Sequence, residues 1–451
     1  MIKLTEFMVF VSLVLATSAC SRSSYILRDQ SLPSSSAPVA SWAGTKHWGG
    51  PSGYTENYNV LVASDSSIIN VGYADVGING NSVTGTGDLI IVKYASSGSL
   101  VWTKQYGIPT KYIIGYGAAL DASGNIFVSG VLSGPWNGQA MVGTTDLFVA
   151  KFDSGGNLIW VRITGAPGVN TTSTALTIDS GGNAIAVGYT SGNYDGNTLT
   201  GTSNIVAIKY STLGVKAWSY QATQGAGVSA AFEVITDSLN DIYIAGRAQA
   251  GSLNGQATTG NDDAAIVKLS SSGVHQWTRL TGPAAAQARA TSIVISSTGD
   301  ILLAGTTDAA TLNGQAKTGA TDAFFMTYSP AGVRLSTQLY GGAGATLTAV
   351  QIKVATDGSV VMAGHTNISL QGQPYTGSGG DLFVVKFNSG LVRQWTRMIG
   401  ATWSGYFGKV AVNATGDVFG SQTAYNDVDG VAVVGNGDVY LTKYNTSGVK
   451  Q

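Results

Sequence analysis

The sequence predicts an all-β protein in which one four-stranded unit occurs seven times around a ring. Three observations favour this fold: the glycine content, an internal repeat, and the positions at which the repeat begins and ends. Of 451 residues, 61 are glycine, whereas only 11 % are charged and the formal net charge is −1. Hydrophobic residues make up 44 % of the chain, enough for substantial cores, and the many glycines predict frequent turns.

The repeat is marked by a lysine near the end of a short apolar run, as in residues 146–152. Equivalent positions recur about every 58 residues in seven copies, at Lys93, Lys151, Lys209, Lys268, Thr327, Lys386 and Lys443. A tryptophan follows nine positions later in most copies. A second marker is a glycine inside an apolar run, at Gly72, Gly130, Gly188, Gly246, Gly305, Gly364 and Gly420. Seven copies of one unit are therefore present.

Each copy contains four short runs of strand-forming residues. In the third copy the predicted strands are Thr174–Asp179, Ala184–Thr190, Ile205–Tyr210 and Val215–Tyr220, separated by residues that favour turns. The last copy stops before its tryptophan strand, whereas Ser41–Trp48 resembles a tryptophan strand without the rest of its unit. We therefore predict a seven-bladed β-propeller with four antiparallel strands per blade, closed by the N-terminal strand completing the C-terminal blade.

The repeated residues resemble a known family. Gly-Asp-Leu-Phe-Val-Val-Lys-Phe at 380–387 and Asp-Ile-Tyr-Ile-Ala-Gly at 241–246 are similar to the units of the seven-bladed bacterial β-propeller repeat family (SBBP repeats). The resemblance covers nearly everything after residue 41. It implies a propeller fold and, because most members are exported or surface proteins, an extracytoplasmic location.

The N-terminus predicts export. Lys3 precedes an apolar run at 7–16 that is too short to span a membrane, and Thr-Ser-Ala-Cys20 resembles a bacterial lipobox. We expect a lipoprotein signal peptide at 1–19, a lipidated Cys20 with a Ser/Pro-rich tether to residue 40, and a propeller at 41–451. This predicts a lipid anchor in the cell envelope, in the outer membrane or at the cell surface. The alternative is a cleaved signal peptide that leaves a free thiol.

Two sets of repeated polar residues are candidate site residues. An aspartate at the head of the third strand recurs at Asp88, Asp146, Asp263, Asp322, Asp381 and Asp438, with Asn204 as the exception. Such aspartates cap turns, and a ring of them is also a weak candidate for binding cations. An amide-rich turn recurs between the second and third strands, and its candidate binding residues are Asn137, Gln139, Asn254, Gln256, Asn313 and Gln315. A shared turn and a polar binding rim both explain this repetition.

Some aromatic residues in the loops depart from the repeat. We consider Trp136, Tyr194, Tyr375 and Trp403 as candidate binding residues on the rim, because aromatic rings favour recognition of proteins and glycans. The three histidines occupy three different positions of the repeat. No arrangement typical of nucleophilic or metal-dependent catalysis is evident, and we expect no cofactor and no metal site.

The sequence therefore predicts a monomeric, lipid-anchored propeller that binds a protein or glycan through a rim or the channel mouth. The near-neutral charge argues against nucleic acid as a partner. An alternative is a propeller enzyme, such as a polysaccharide lyase or a quinone-dependent dehydrogenase. Such an enzyme would need non-repeated residues to converge, for example Glu56, Glu233, Arg247, Arg289 and His365. A third possibility is a structural envelope protein with no dedicated ligand.

Overall fold

A computed structural model describes residues 42–376, 380–400 and 408–451, which all belong to the compact unit Ala40–Gln451. The predicted signal peptide at 1–19, the lipidated Cys20, the tether and Trp403 lie outside the described residues. Within the described ranges, seven four-stranded antiparallel sheets account for most of the chain, and no helix is long and apolar enough to cross a membrane. The predicted seven-bladed β-propeller is confirmed.

The chain enters the ring through a short strand, β1 (Lys46–Trp48). The first three blades contain β2 (Thr55–Val62), β3 (Ile68–Ala74), β4 (Asp88–Tyr94), β5 (Leu100–Tyr106), β6 (Ile113–Leu120), β7 (Ile126–Leu132), β8 (Asp146–Phe152), β9 (Leu158–Thr164), β10 (Thr171–Ile178), β11 (Ala184–Thr190), β12 (Asn204–Tyr210) and β13 (Lys216–Gln221).

The fourth and fifth blades each carry an additional pair of two-residue strands in one loop. Their strands are β14 (Val228–Thr236), β15 (Ile242–Gln249), β16 (Ser252–Leu253), β17 (Gln256–Ala257), β18 (Asp263–Leu269), β19 (His275–Thr281), β20 (Ala288–Ile295), β21 (Ile301–Thr307), β22 (Thr311–Leu312), β23 (Gln315–Ala316), β24 (Asp322–Tyr328) and β25 (Arg334–Tyr340). The last two blades contain β26 (Leu347–Val354), β27 (Val360–Thr366), β28 (Asp381–Phe387), β29 (Arg393–Ile399), β30 (Lys409–Val412), β31 (Val418–Ala424) and β32 (Asp438–Tyr444).

The ring closes through a pairing of its two chain ends. Strand β1 pairs antiparallel with β32, with Lys46 opposite Leu441 and Trp48 opposite Val439. The seventh sheet therefore has the order β1-β32-β31-β30, and the N-terminal strand takes the outermost place in it. The predicted closure is confirmed. Each of the seven sheets has its outermost strand, which covers the edge of the third strand.

The second and third strands of each blade are buried on both faces. Every residue of β7 and β8 is buried, for example, including the carboxylate at the head of β8. This pattern arises because each blade packs against a neighbour on either side. The first strands line the central channel and the fourth strands lie at the periphery, so polar residues concentrate in these two places.

A β-bulge in the first strand of the blades shapes the channel wall. In the third blade the pairing of β10 with β11 shifts between Ser173 and Ala175, which leaves Thr174 as the extra residue. A Cβ atom on Gly188 of β11 would lie 1.9 Å from the carbonyl oxygen of Thr172, so only glycine fits there. Equivalent close approaches to backbone oxygens occur at Gly72, Gly130, Gly246 and Gly305.

The repeated tryptophans connect neighbouring blades. The indole Nε1 of Trp160 donates to the carbonyl of Thr212 in the next blade at 3.1 Å. Arg162 lies over the same ring, 5.4 Å from its centre, and donates from Nε to the carbonyl of Gly214 at 2.7 Å. These tryptophans therefore pack between blades, where apolar burial is combined with hydrogen bonds.

Candidate functional site at the central channel

The two faces of the ring carry different connections. We call the loop face the end that carries the long connections between second and third strands, and the hairpin face the opposite end. The repeated aspartates anchor the long connections. Asp146 is fully buried, and its two carboxylate oxygens accept the amides of Val142 at 2.6 Å and Gly143 at 2.8 Å. In other blades, the two backbone amides at the equivalent positions donate to the carboxylates of Asp88, Asp263, Asp322 and Asp438.

Asp381 likewise accepts the amide of Thr376 at 2.9 Å. The carboxylates of this ring are therefore occupied by the loops of their own blades. In the part of the chain that the structure describes, no three His, Cys, Asp or Glu side chains are grouped so that they could hold a metal ion. The geometry therefore indicates that each of these aspartates anchors the loop of its own blade.

The third blade deviates from this arrangement in two places at once. A Cβ atom on Gly165 would lie 1.9 Å from a carboxylate oxygen of Asp146, so the aspartate requires glycine at that position. In the third blade the corresponding residues are Asn204 and Thr223, and the amide of Asn204 donates to the carbonyl of Ala222, the residue before Thr223, at 2.8 Å. The one blade with an uncharged amide at the aspartate position thus also has a residue larger than glycine at the second position.

The amide-rich connections form the same tight turn in all seven blades. Asn137 and Gly138 both have positive φ, 47° and 76°, as a type I′ turn requires. The other turns start at Asn79, Asp195, Asn254, Asn313, Gln371 and Asp429, and these residues have φ between 49° and 56°. Among the candidate rim residues, Asn137, Gln256, Asn313 and Gln315 are exposed, whereas Gln139 and Asn254 are partly buried.

Several of these amides bind within their own blade. Asn254 Nδ2 donates to the hydroxyl of Thr278 at 2.9 Å, and Asn313 Nδ2 donates to that of Thr337 at 3.0 Å. The turn is therefore held against the fourth strand. The rim still presents exposed amide groups, but they are spaced around the ring rather than gathered at one place.

Two of the candidate aromatic residues are core residues. The exposed fraction of Trp136 is 8 % and that of Tyr194 is zero. Both precede the turn at a position that holds an apolar residue in every blade, namely Ile78, Leu253, Leu312, Leu370 and Val428. Burial of this residue fixes the connection to the blade, which corrects the assignment of Trp136 and Tyr194 as exposed binding residues. Tyr375 is partly buried, and its backbone amide donates to the hydroxyl of Ser369 at 3.1 Å.

A cavity with a volume of about 610 Å³ lies in the channel on the side of the loop face. A second cavity of about 370 Å³ continues toward the hairpin face. Residues at the bulges of six first strands line the larger cavity, and so does Gly408, which directly precedes β30 in the seventh blade. They are Tyr58, Tyr116, Thr174, Phe232, Thr291, Val350 and Gly408. We call these seven residues the bulge ring.

Aromatic side chains form one wall of the larger cavity. The rings are those of Tyr58, Tyr112, Tyr116, Tyr189 and Phe232. Tyr58 and Tyr116 meet edge to face with their ring centres 4.7 Å apart, and the Tyr58 hydroxyl donates to the Glu56 carboxylate. Burial raises the pKa of Tyr116 to about 12, so its hydroxyl remains protonated at neutral pH. We call the five rings the aromatic wall.

The two cavities meet at a waist lined by residues that face both of them: Tyr116, Thr174, Phe232, Thr291, Gln351 and Lys409. Burial lowers the pKa of Lys409 to about 8, and the nearby Glu233 carboxylate partly offsets this effect. Glu233 itself forms an ion pair with Lys353, at 2.7 Å between Oε1 and Nζ, on the hairpin side. The waist thus combines aromatic, hydroxyl, amide and ammonium groups.

The charged residues that catalysis would require occupy separate environments. Asp262, fully buried, pairs with Arg247 at 3.2 Å and with Arg289, and it links the fourth blade to the fifth. His365 is buried in the sixth blade, where desolvation lowers its pKa to about 4. Glu56 binds Tyr58, whereas Glu233 binds Lys353. Only the two arginines are brought into one cluster.

Sequence reasoning missed the aromatic wall and Lys409. The bulge adds one residue to the first strand, so the alternation of inward and outward residues changes partway along it. One feature of the sequence could have indicated these channel-lining residues: one position varies in an otherwise regular repeat. Tyr58, Tyr116, Phe232 and Gly408 occupy the same position in different blades.

The fold and the channel define a seven-bladed β-propeller. A family model described as a β-propeller repeat (SBBP) matches residues 101–131, from the outer strand of the first blade to the second strand of the second blade, and this match supports the resemblance of the repeated units. A WD repeat-containing protein of Acanthamoeba polyphaga mimivirus is 27 % identical over a region covering 38 % of this chain. That region spans 15 % of the viral protein.

Solved structures with a similar architecture have little sequence in common with this chain. A protein of unknown function from Dyadobacter fermentans is 10 % identical, with a TM-score of 0.44 and coverage of 88 % of this chain and 98 % of that one. A chain of the mitotic checkpoint complex is 10 % identical, with a TM-score of 0.48 and coverage of 91 % and 95 %. Virginiamycin B lyase from Staphylococcus aureus, in an inactive form, is 8 % identical, with a TM-score of 0.43 and coverage of 88 % and 98 %. These similarities assign no function.

Proposed function

We propose that this propeller is a non-catalytic binding module that holds a glycan in the loop-side cavity of its channel. The observation that carries the proposal is the aromatic wall, which offers ring faces to the C–H surfaces of sugars. Thr145, Asn170 and Thr172 line the same cavity and supply hydroxyl and amide groups for sugar hydroxyls. An apolar wall with a few polar groups is typical of ligand sites.

The size of the cavity supports this proposal. Its volume of about 610 Å³ lies in the range of pockets that enclose a small ligand, and it accommodates one or two sugar residues. The cavity opens on the loop face, so a longer chain could continue past the exposed amides of Asn137, Asn313 and Gln315. The channel mouth and the rim would then serve the same ligand.

The non-catalytic part of the proposal rests on the placement of the acid–base groups. The Glu233 carboxylate is already bound by Lys353 and by the hydroxyl of Ser292. His365 is 6 % exposed, and its low pKa keeps it neutral at physiological pH. General acid–base catalysis needs a titrating group within reach of the substrate, and these two groups are poorly suited to that role.

The experiment is a glycan-array screen of the purified full chain, followed by calorimetric titration of the glycans that bind. Tyr116→Ala should weaken binding about three- to tenfold, because an aromatic contact contributes about 0.5–1.5 kcal/mol. The matched control is Tyr54→Ala, since Tyr54 is 46 % exposed and does not line the cavity. Binding of no glycan, or an equal loss in both variants, would contradict the proposal. Release of a product from a bound polysaccharide would favour an enzyme instead.

We also propose that the chain is exported and lipid-anchored through Cys20, as the lipobox-like residues 17–20 suggest. Mass spectrometry of the N-terminal peptide should find an acylated Cys20, and proteolysis of intact cells should establish which side of the envelope the propeller faces. An unmodified Cys20 would contradict the anchor. Cleavage of the propeller on unbroken cells would place it at the cell surface, and protection would place it in the periplasm.

A further inference from the structure

Lys409 differs from the lysines of the repeat in having no partner among the described residues. The repeated lysines pair with aspartates of the hairpins, as in Lys209 with Asp179 at 2.7 Å and Lys443 with Asp417 at 2.9 Å. Lys409 forms neither an ion pair nor a side-chain hydrogen bond with any residue that the structure describes, although it lines both cavities. None of the residues that the structure describes therefore provides a counter-ion for its ammonium group at the waist.

The neighbouring carboxylate does not compensate this charge. Glu233 accepts hydrogen bonds from the Lys353 ammonium group, from the Ser292 hydroxyl and from the amide of Ile293 at 3.2 Å. Among the described residues, the charged side chains near Lys409 are Lys353 and Glu233 on the hairpin side of the waist, so the three groups together carry one positive charge. A partly buried cation with no counter-ion is costly, and an anionic ligand group would offset that cost.

A second donor lies beside Lys409. The Oε1 atom of Gln351 accepts the backbone amide of Val410 at 3.0 Å, which fixes the orientation of the side-chain amide. Its Nε2 group has no acceptor among the described residues, and Gln351 also lines the waist. An ammonium and an amide donor next to each other match the two oxygens of a carboxylate.

We propose that the glycan bound in the channel contains a uronic acid, whose carboxylate binds the Lys409 ammonium group and the Gln351 amide. The sugar ring then packs against the aromatic wall above the waist. This inference rests on the proposed glycan-binding function and specifies its ligand class. In this arrangement the aromatic wall binds the sugar ring, and Lys409 binds the negative charge of the carboxylate.

The test compares oligogalacturonate with its fully methyl-esterified form in calorimetric titrations of the full chain at pH 7. The acid should bind more tightly, and Lys409→Met should weaken its binding about ten- to a hundredfold while leaving the ester unaffected. Lys104→Met is the matched control, because Lys104 lies on the peripheral strand β5 and binds Asn157. Its substitution should leave both affinities unchanged.

The pH dependence of binding provides a second readout. The affinity for the acid should fall as the pH rises through about 8, because Lys409 then loses its proton. The charged groups nearby are Glu233 and Lys353, and Tyr116 does not ionise in this range, since its pKa is about 12. Lys409→Arg should retain binding and lose this pH dependence, because arginine stays charged. That variant also shows whether loss of binding in Lys409→Met reflects charge or misfolding.

The outcomes separate the two proposals. Equal affinity for the acid and the ester would overturn the uronic acid assignment while leaving glycan binding intact. Binding of neither, with no other glycan bound on the array, would overturn both. Tighter binding of dextran sulfate or of inorganic phosphate than of oligogalacturonate would overturn the carboxylate assignment. An unchanged affinity for the acid in Lys409→Met would overturn the role of Lys409.

Discussion

The outer part of the blades and the channel wall differ in how strictly they repeat. At the outer positions the same residue makes the same contact in blade after blade, as Trp160 and Trp395 do with the carbonyls of the following blade. At the bulge ring the seven blades carry tyrosine, threonine, phenylalanine, valine and glycine. Repeated positions therefore maintain the ring. The residues of the bulge ring are free to vary, and they set the size and polarity of the channel.

The largest expected effect concerns a repeated glycine of the scaffold. Gly188→Ala should destabilise the fold by about 4 kcal/mol, because the new Cβ would lie 1.9 Å from the backbone oxygen of Thr172. A backbone atom cannot move aside as a side chain can. Urea unfolding followed by tryptophan fluorescence would measure the loss.

The matched control is Gly390→Ala in an exposed hairpin. There the nearest atom to the new Cβ is the side-chain oxygen of Asn388 at 3.5 Å, which is an ordinary contact. This substitution should change stability by less than about 0.5 kcal/mol. If Gly188→Ala were as mild as the control, close backbone approach would not explain the repeated glycine.

The second prediction tests a non-repeated residue next to the channel. His365 is neutral in the folded protein down to about pH 4, whereas it protonates near pH 6.5 in the unfolded chain. The unfolded state therefore binds more protons between these values, and stability should fall as the pH falls. His365 should account for roughly 3 kcal/mol of that loss at pH 4.

The slope of unfolding free energy against pH identifies this contribution. His365→Gln should flatten the slope between pH 6.5 and pH 4, even if it lowers stability at every pH. His275→Gln is the comparison, because His275 is exposed and the pKa of its ring is lowered only by partial burial. An unchanged slope in His365→Gln would show that this histidine is not a source of acid sensitivity.

The scaffold was well predicted from the sequence because each inference could be checked in seven copies of the repeat. The closure by Ser41–Trp48 followed from a missing strand at one end and an extra one at the other, and β1 pairs as expected. The start of the first strand was misplaced: the prediction began at Thr174, whereas β10 begins at Thr171. The bulge at Thr174 interrupts the alternation there, so the pattern became recognisable only after it.

The channel could not be predicted in the same way. Tyr58, Phe232 and Lys409 come from three different blades, and only the closed ring brings them to one cavity. Trp136 and Tyr194 appeared unusual in the sequence because they are aromatic, but their position is apolar in every blade. Residue type alone therefore selected two buried core residues, and the position within the repeat is the better guide to exposure.

The smallest expected effect tests whether repeated positions depend on each other. Asp146→Asn and Gly165→Thr should each cost about 2 kcal/mol, the first through weaker bonds to the amides of Val142 and Gly143 and the second through a clash with the carboxylate.

Together they reproduce the residues of the third blade, so the double variant should be about 1 kcal/mol more stable than the sum of the two losses. A double-mutant cycle by urea unfolding measures this term. Strict additivity would mean that Asn204 and Thr223 differ from the other blades independently, and that each blade position is set by its own contacts alone.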